Sequence, residues 1–111
     1  MVPMSIQRSE LRSRPVQWLG RSGRRYDLLA EDLERFAMGE ADLYVIAKGG
    51  LPLWVGSTDE LVADPMSRTR FRLALDCATE VLRLPAPVDR LSAIWDLENA
   101  VPAGSVTAQA A

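Results

Sequence analysis

Leu43-Tyr44-Val45-Ile46-Ala47-Lys48-Gly49-Gly50-Leu51-Pro52-Leu53-Trp54-Val55 decides the architecture. Two apolar, β-branched and aromatic runs flank Gly49-Gly50, a pair able to take the two positive φ angles of a type I′ turn, so the stretch predicts a β-hairpin. A two-residue turn places Tyr44 opposite Val55, Val45 opposite Trp54 and Ile46 opposite Leu53. Both faces are then apolar, so both must be covered by other elements. Pro52 has no N–H to donate, which makes its strand an edge at that point.

Before this hairpin, Val16–Leu19 and Arg25–Leu29 flank the turn signal Gly20-Arg21-Ser22-Gly23 and predict a first hairpin. Leu29, Leu33 and Phe36 at i, i+4 and i+7 then predict a short amphipathic helix ended by Gly39. After Gly56, Ser57 or Thr58 caps a short helix running through Ala63, and Asp64-Pro65 breaks it. Ser67 caps a long helix to about Leu84, with Phe71, Ala74, Ala78, Val81 and Leu82 on its apolar face. Cys77 falls just off that face and reads as a small, partly buried hydrophobe. Pro85-Ala86-Pro87 ends the helix. Asp89 caps a last helix to about Asn99, with Leu91, Ile94, Trp95 and Leu97 facing inward. Trp18, Trp54 and Trp95 on three elements read as core anchors.

The expected fold is therefore α+β: a small antiparallel sheet of two β-hairpins packed against two or three C-terminal helices. Its parts are a basic arm over residues 1–14, a single domain over 15–100 and a tail over 101–111.

Composition narrows the chemistry. Among 111 residues there is one cysteine, Cys77, and no histidine. An internal disulfide and a Cys/His zinc site are excluded, and a serine nucleophile lacks its usual base. No catalytic residue, metal site or cofactor is expected. Glu60 and Asp64 at i, i+4 could share a magnesium ion, but carboxylates on a capped surface helix are ordinarily just solvated. Neither a secretory leader nor a run of about 20 apolar residues is legible, so no membrane is expected and the cytoplasm is the default. A disulfide-linked partner is not expected either.

The net charge of −2 conceals an asymmetry. Met1 to Tyr26 carries six arginines against one glutamate, and Asp27 to Asp64 carries nine acids against Arg35 and Lys48. The two halves neutralise each other on folding, or the basic part meets an acidic partner or phosphate. Arg68, Arg70 and Arg72 crowd the start of the long helix, where the helix dipole disfavours cations. An internal acid near Asp64 or an external phosphate would explain them, and Arg24 and Arg25 join them as candidate anion or nucleic-acid contacts.

One resemblance follows from the hairpin. Tyr44-Val45-Ile46, followed ten residues later by Trp54-Val55-Gly56-Ser57-Thr58, resembles the hairpin of the GIY-YIG nucleases over about 20 of 111 residues. It implies Tyr44 and Gly56 as site positions, Arg68 or Arg70 as a displaced arginine, and Glu80 or Glu98 as a metal ligand. Trp54 stands where that family has its second tyrosine, and Asp64 stands where it has its arginine.

The leading expectation is a non-catalytic protein-binding or assembly module, bacterial or from a phage, with a protein partner or self-association. The alternative is a nucleic-acid-binding protein using arginines of the arm and the 67–84 helix, with degenerate GIY-YIG-like ancestry.

Overall fold

In the computed structural model, which describes residues 14–104, the chain is an α+β domain built on a curled, six-stranded antiparallel sheet. The elements are β1 (Arg14–Leu19), β2 (Arg25–Glu31), β3 (Leu43–Lys48), β4 (Leu51–Gly56), α1 (Thr58–Ala63), α2 (Pro65–Cys77), β5 (Glu80–Leu84), α3 (Arg90–Leu97) and β6 (Val101–Pro102). The strand order is β4-β3-β5-β2-β1-β6. Most of the expected arm and tail, residues 1–13 and 105–111, lies outside the described residues. Val101–Pro102, placed in the tail by the sequence, instead pairs with Trp18 and Leu19.

Both expected hairpins are present. Gly49 and Gly50 have φ of 55° and 84°, as the tight turn requires. Lys48 pairs with Leu51 and Ala47 with Pro52 as expected, but beyond Ala47 the register slips by one. Ile46 faces Trp54 and Val45 faces Val55, leaving Leu53 as a bulge. The slip lies next to Pro52, whose missing donor is directed away from β3. As the proline demands, β4 is an edge strand.

The two apolar faces of β3 are covered separately. Leu43, Val45 and Ala47 join Trp18, Tyr26, Leu28, Leu82 and Leu97 on one face, where α3 packs. Tyr44 and Ile46 join Trp54, Ala74 and Val81 on the other face, beneath α2. Edge-to-face packing of Trp54 on Phe71, centroids 4.8 Å apart, anchors α2 there.

Five further expectations are corrected. The long helix ends at Cys77, and Glu80–Leu84 is a strand inserted between β3 and β2. Val81 and Leu82 fit a helical period, but β3, buried from Leu43 to Ala47 and with an edge strand on one side, needs a ladder partner on the other. Residues 80–84 supply it, and tertiary pairing outweighs the local pattern. The predicted Leu29–Phe36 helix is the end of β2 followed by a turn in which the Asp32 carbonyl accepts from Arg35 and Phe36. The α2 cap is Asp64, not Ser67; its side chain accepts from the Met66 amide, and Pro65 opens the helix. On α3, Leu91 and Trp95 are exposed while Ala93, Asp96 and Leu97 are buried, so Trp95 is not a core anchor. Cys77 is exposed as well.

Candidate functional site

The outer edge of β4 lies between two helices, and two depressions run along it. The first holds about 350 Å³ and is lined by Trp54 and Val55 from β4, Asp64 and Arg70 from the start of α2, and Ile94 and Glu98 from the end of α3. The second, about 290 Å³, is formed by Leu53, Arg70, Leu73, Ala74 and Cys77. They share Leu53 and Arg70, so one continuous groove follows the strand, acidic at one end and apolar at the other.

Why the chain leaves apolar groups here follows from the helix period. Phe71, Ala74, Leu75 and Ala78 turn toward the sheet. Leu73 is 61% exposed and Met66 59%. With Arg70 and Cys77, these positions recur at i, i+4, i+7 and i+11, a second stripe on the same helix. Leu53, displaced outward by the bulge, extends that stripe onto the sheet edge.

At the acidic end Glu60 and Asp64 are already engaged, whereas Glu98 faces the depression. Ser57 and Glu60 form a capping box around α1, in which the Ser57 amide donates to Glu60 Oε1 at 2.7 Å. Arg90 bridges Asp59 at 2.7 Å and Glu60 at 3.2 Å. Burial opposes the charge on Glu60, but hydrogen bonds from Ser57 and the nearby guanidinium outweigh it and hold the carboxyl below its ordinary value. Asp64 caps α2. The proposed Glu60–Asp64 pair is thus committed to helix ends, and no group of three acidic or sulfur ligands among the described residues is placed to hold a metal.

A second ionic centre ties α3 to the β1–β2 turn. Asp96, 5% exposed, accepts from the Ser22 amide (2.7 Å), the Ser22 hydroxyl (2.8 Å) and the Tyr26 phenol (2.8 Å). Burial opposes its charge, yet these donors and nearby Arg24 hold it below the ordinary aspartate range. Burial and the same carboxylate push the Tyr26 phenol upward. Neither shift poises a group for proton transfer: the acid is fixed ionised and the phenol fixed neutral. Beside this centre, the Arg21 guanidinium stacks 4.2 Å over the Trp95 ring and Arg24 lies 5.1 Å over Tyr26.

The expected anion contacts are divided between these places. Arg68 donates to the Leu61 and Val62 carbonyls, closing the end of α1, so its internal partner is backbone, not Asp64. Arg70 stands where the two depressions meet, and Arg72 is exposed beyond them. Arg24 is at the β1–β2 turn, and Arg25 donates to Gln17. Of the positions implied by the nuclease resemblance, the Tyr44 hydroxyl is buried, accepting from the Gly39 amide at 2.7 Å and donating to the Ala37 carbonyl. Gly56 lies against the Trp54 ring, where a Cβ would approach to 2.7 Å. Glu80 accepts from the Gly50 amide. Only Arg70 and Glu98 of that set share a depression.

Sequence reasoning missed the groove because its apolar end comes from a bulge and a secondary helical stripe. Leu73 and Cys77, one position off the main apolar face, were its only signal. No protein-family model, curated protein or solved structure matches this chain. Among the described residues no helix is long and apolar enough to cross a membrane.

Proposed function

We propose that the protein is a non-catalytic binding or assembly module that receives a protein segment in the groove along β4. The observation that carries this reading is the meeting of two depressions at Leu53 and Arg70 on the free edge of the sheet. A groove with exposed leucines at one end and carboxylates at the other suits a segment carrying an apolar anchor followed by a basic side chain. Pro52 and the bulge at Leu53 interrupt the outer ladder, so side-chain contacts, more than added strand pairing, supply the affinity. The exposed single thiol fits a reducing compartment, the cytoplasm of a bacterium or of a phage-infected cell.

The test compares wild type with Leu53→Ser/Leu73→Ser by sedimentation and by co-purification from the source cells. Wild type self-associates or retains a partner, and the double variant loses that association while its circular dichroism is unchanged. A wild-type chain that sediments as a strict monomer and retains no partner overturns the reading.

A further inference from the structure

We infer that the face of α3 bearing Trp95, together with the arginine turn between β1 and β2, is a contact surface for single-stranded nucleic acid. This inference stands apart from the groove along β4, so either can fail without the other.

Three tryptophans occur in the chain, and two are buried: Trp18 at 2% and Trp54 at 6% exposure. Trp95 is 51% exposed, and Leu91, one helical turn before it, is 67% exposed. A large ring left in water on a rigid helix departs from the usual fate of tryptophan. Its surroundings give the departure a direction. Arg21 covers one side of the indole, and the same tight turn presents Arg24, over the Tyr26 ring, to solvent. The turn closes the most basic stretch of the sequence.

These groups are held in place before any ligand arrives. The backbone of Arg21 donates to the Asp96 carbonyl at 3.0 Å, while the Asp96 carboxylate holds Ser22 and Tyr26. Turn and helix therefore form one rigid unit, which lowers the ordering cost of binding.

The form of the surface distinguishes the ligand class. Protein hot spots fill pockets, yet the depressions along β4 do not include Trp95 or Leu91. A planar ring and guanidinium planes, without a recess, suit bases that stack and phosphates that pair with arginine. Single strands offer both, whereas the bases of a duplex are already stacked.

Because Trp18 and Trp54 are buried, the part of the tryptophan emission that an external ligand or quencher can reach is that of Trp95. The experiment titrates the full chain with a short oligothymidylate at ~50 mM and ~200 mM salt. Quenching at low salt that weakens at higher salt is expected. Trp95→Ala, assayed by anisotropy of labelled oligonucleotide, should lose about ten-fold or more in affinity. Arg21→Gln/Arg24→Gln should bind more weakly and flatten the logarithmic salt slope by about 1.4, two phosphate contacts' worth. Circular dichroism confirms that the variants are folded, and protection of wild-type emission from acrylamide by the oligonucleotide gives a readout that needs no variant. Absence of quenching and of protection at low salt overturns the inference, as does unchanged affinity in both variants. Equal binding of a duplex of the same length removes the stacking argument and overturns it too. Displacement by polyglutamate at equal charge concentration reassigns the surface to an acidic protein segment.

Discussion

The Tyr26 phenol and the Asp96 carboxylate, 70 positions apart in the chain, meet at 2.8 Å and join the β1–β2 hairpin to the last helix. With the two bonds from Ser22, a single buried carboxylate receives three donors from one tight turn and the strand that follows it. Removing that acceptor strands all three. Asp96→Ala should therefore destabilise the fold by about 3 kcal/mol or more, while Tyr26→Phe, which leaves Asp96 two donors, should cost about 1 kcal/mol. Urea unfolding of the two variants checks the ordering, and equal losses would contradict it.

The same contact, together with the Glu60 capping box, sets the pH dependence. Asp96 and Glu60 have folded-state values below their unfolded ones. Their stabilisation is present above the unfolded values, about 3.9 and 4.3, and is lost as pH falls through the folded ones. Tyr26 is shifted the other way. Its contribution is complete below about 10 and is lost as pH rises through the raised folded value. Thermal melts should be flat from about pH 5 to 9 and fall on both sides. Asp96→Asn should reduce the acid-side fall, and Tyr26→Phe the alkaline one.

Gly20 sits directly against this centre. A Cβ built there falls 2.5 Å from the Asp96 carboxylate, whereas one at Gly23 meets nothing, although Gly23 has φ of 89°. Gly20→Ala should cost about 1–3 kcal/mol through overpacking and disturb the Ser22 bonds. Gly23→Ala should cost about 1 kcal/mol through backbone strain alone. The amide resonance of Ser22 should move in the first variant far more than in the second.

How far the fold was legible depends on which residues carried local instructions. Gly49-Gly50, Ser57 with Glu60, Asp64-Pro65 and Asp89 act through bonds within a few positions, and each turn or cap stands where its chemistry requires. Glu80–Leu84 carries no such instruction. Val81 and Leu82 read equally as the end of a helix, and only the unfilled side of β3 makes them a strand. Asp96 was invisible as a buried acid because its donors come from the first hairpin. Leu91 and Trp95 looked inward only on the assumption that apolar periodicity on α3 marks its packed face. That strand assignment is itself testable. Val81→Ala and Leu82→Ala, buried on opposite faces, should each cost about 2–4 kcal/mol, against less than about 0.5 kcal/mol for exposed Leu73→Ala.

Arg83 is what locks β5 into this position from the side. On the central strand it reaches Glu31 at the end of β2 with Nε at 3.3 Å and Asp42 just before β3 with Nη1 at 3.4 Å. Asp42 in turn accepts from the Ala86 amide at 3.0 Å, closing the loop after β5. One guanidinium therefore spans the two strands flanking its own, and all three side chains are largely shielded from water. Lysine carries the same charge but concentrates it at one point, so it cannot direct donors along both sides of the fork. Arg83→Lys should cost about 1–2 kcal/mol despite conserving charge, and Arg83→Met somewhat more, because both carboxylates then lose the guanidinium that bridges them. Raising the salt concentration should narrow the gap between Arg83→Met and wild type only slightly, since partly buried pairs are weakly screened. A gap that vanishes in salt would place these contacts at the surface instead.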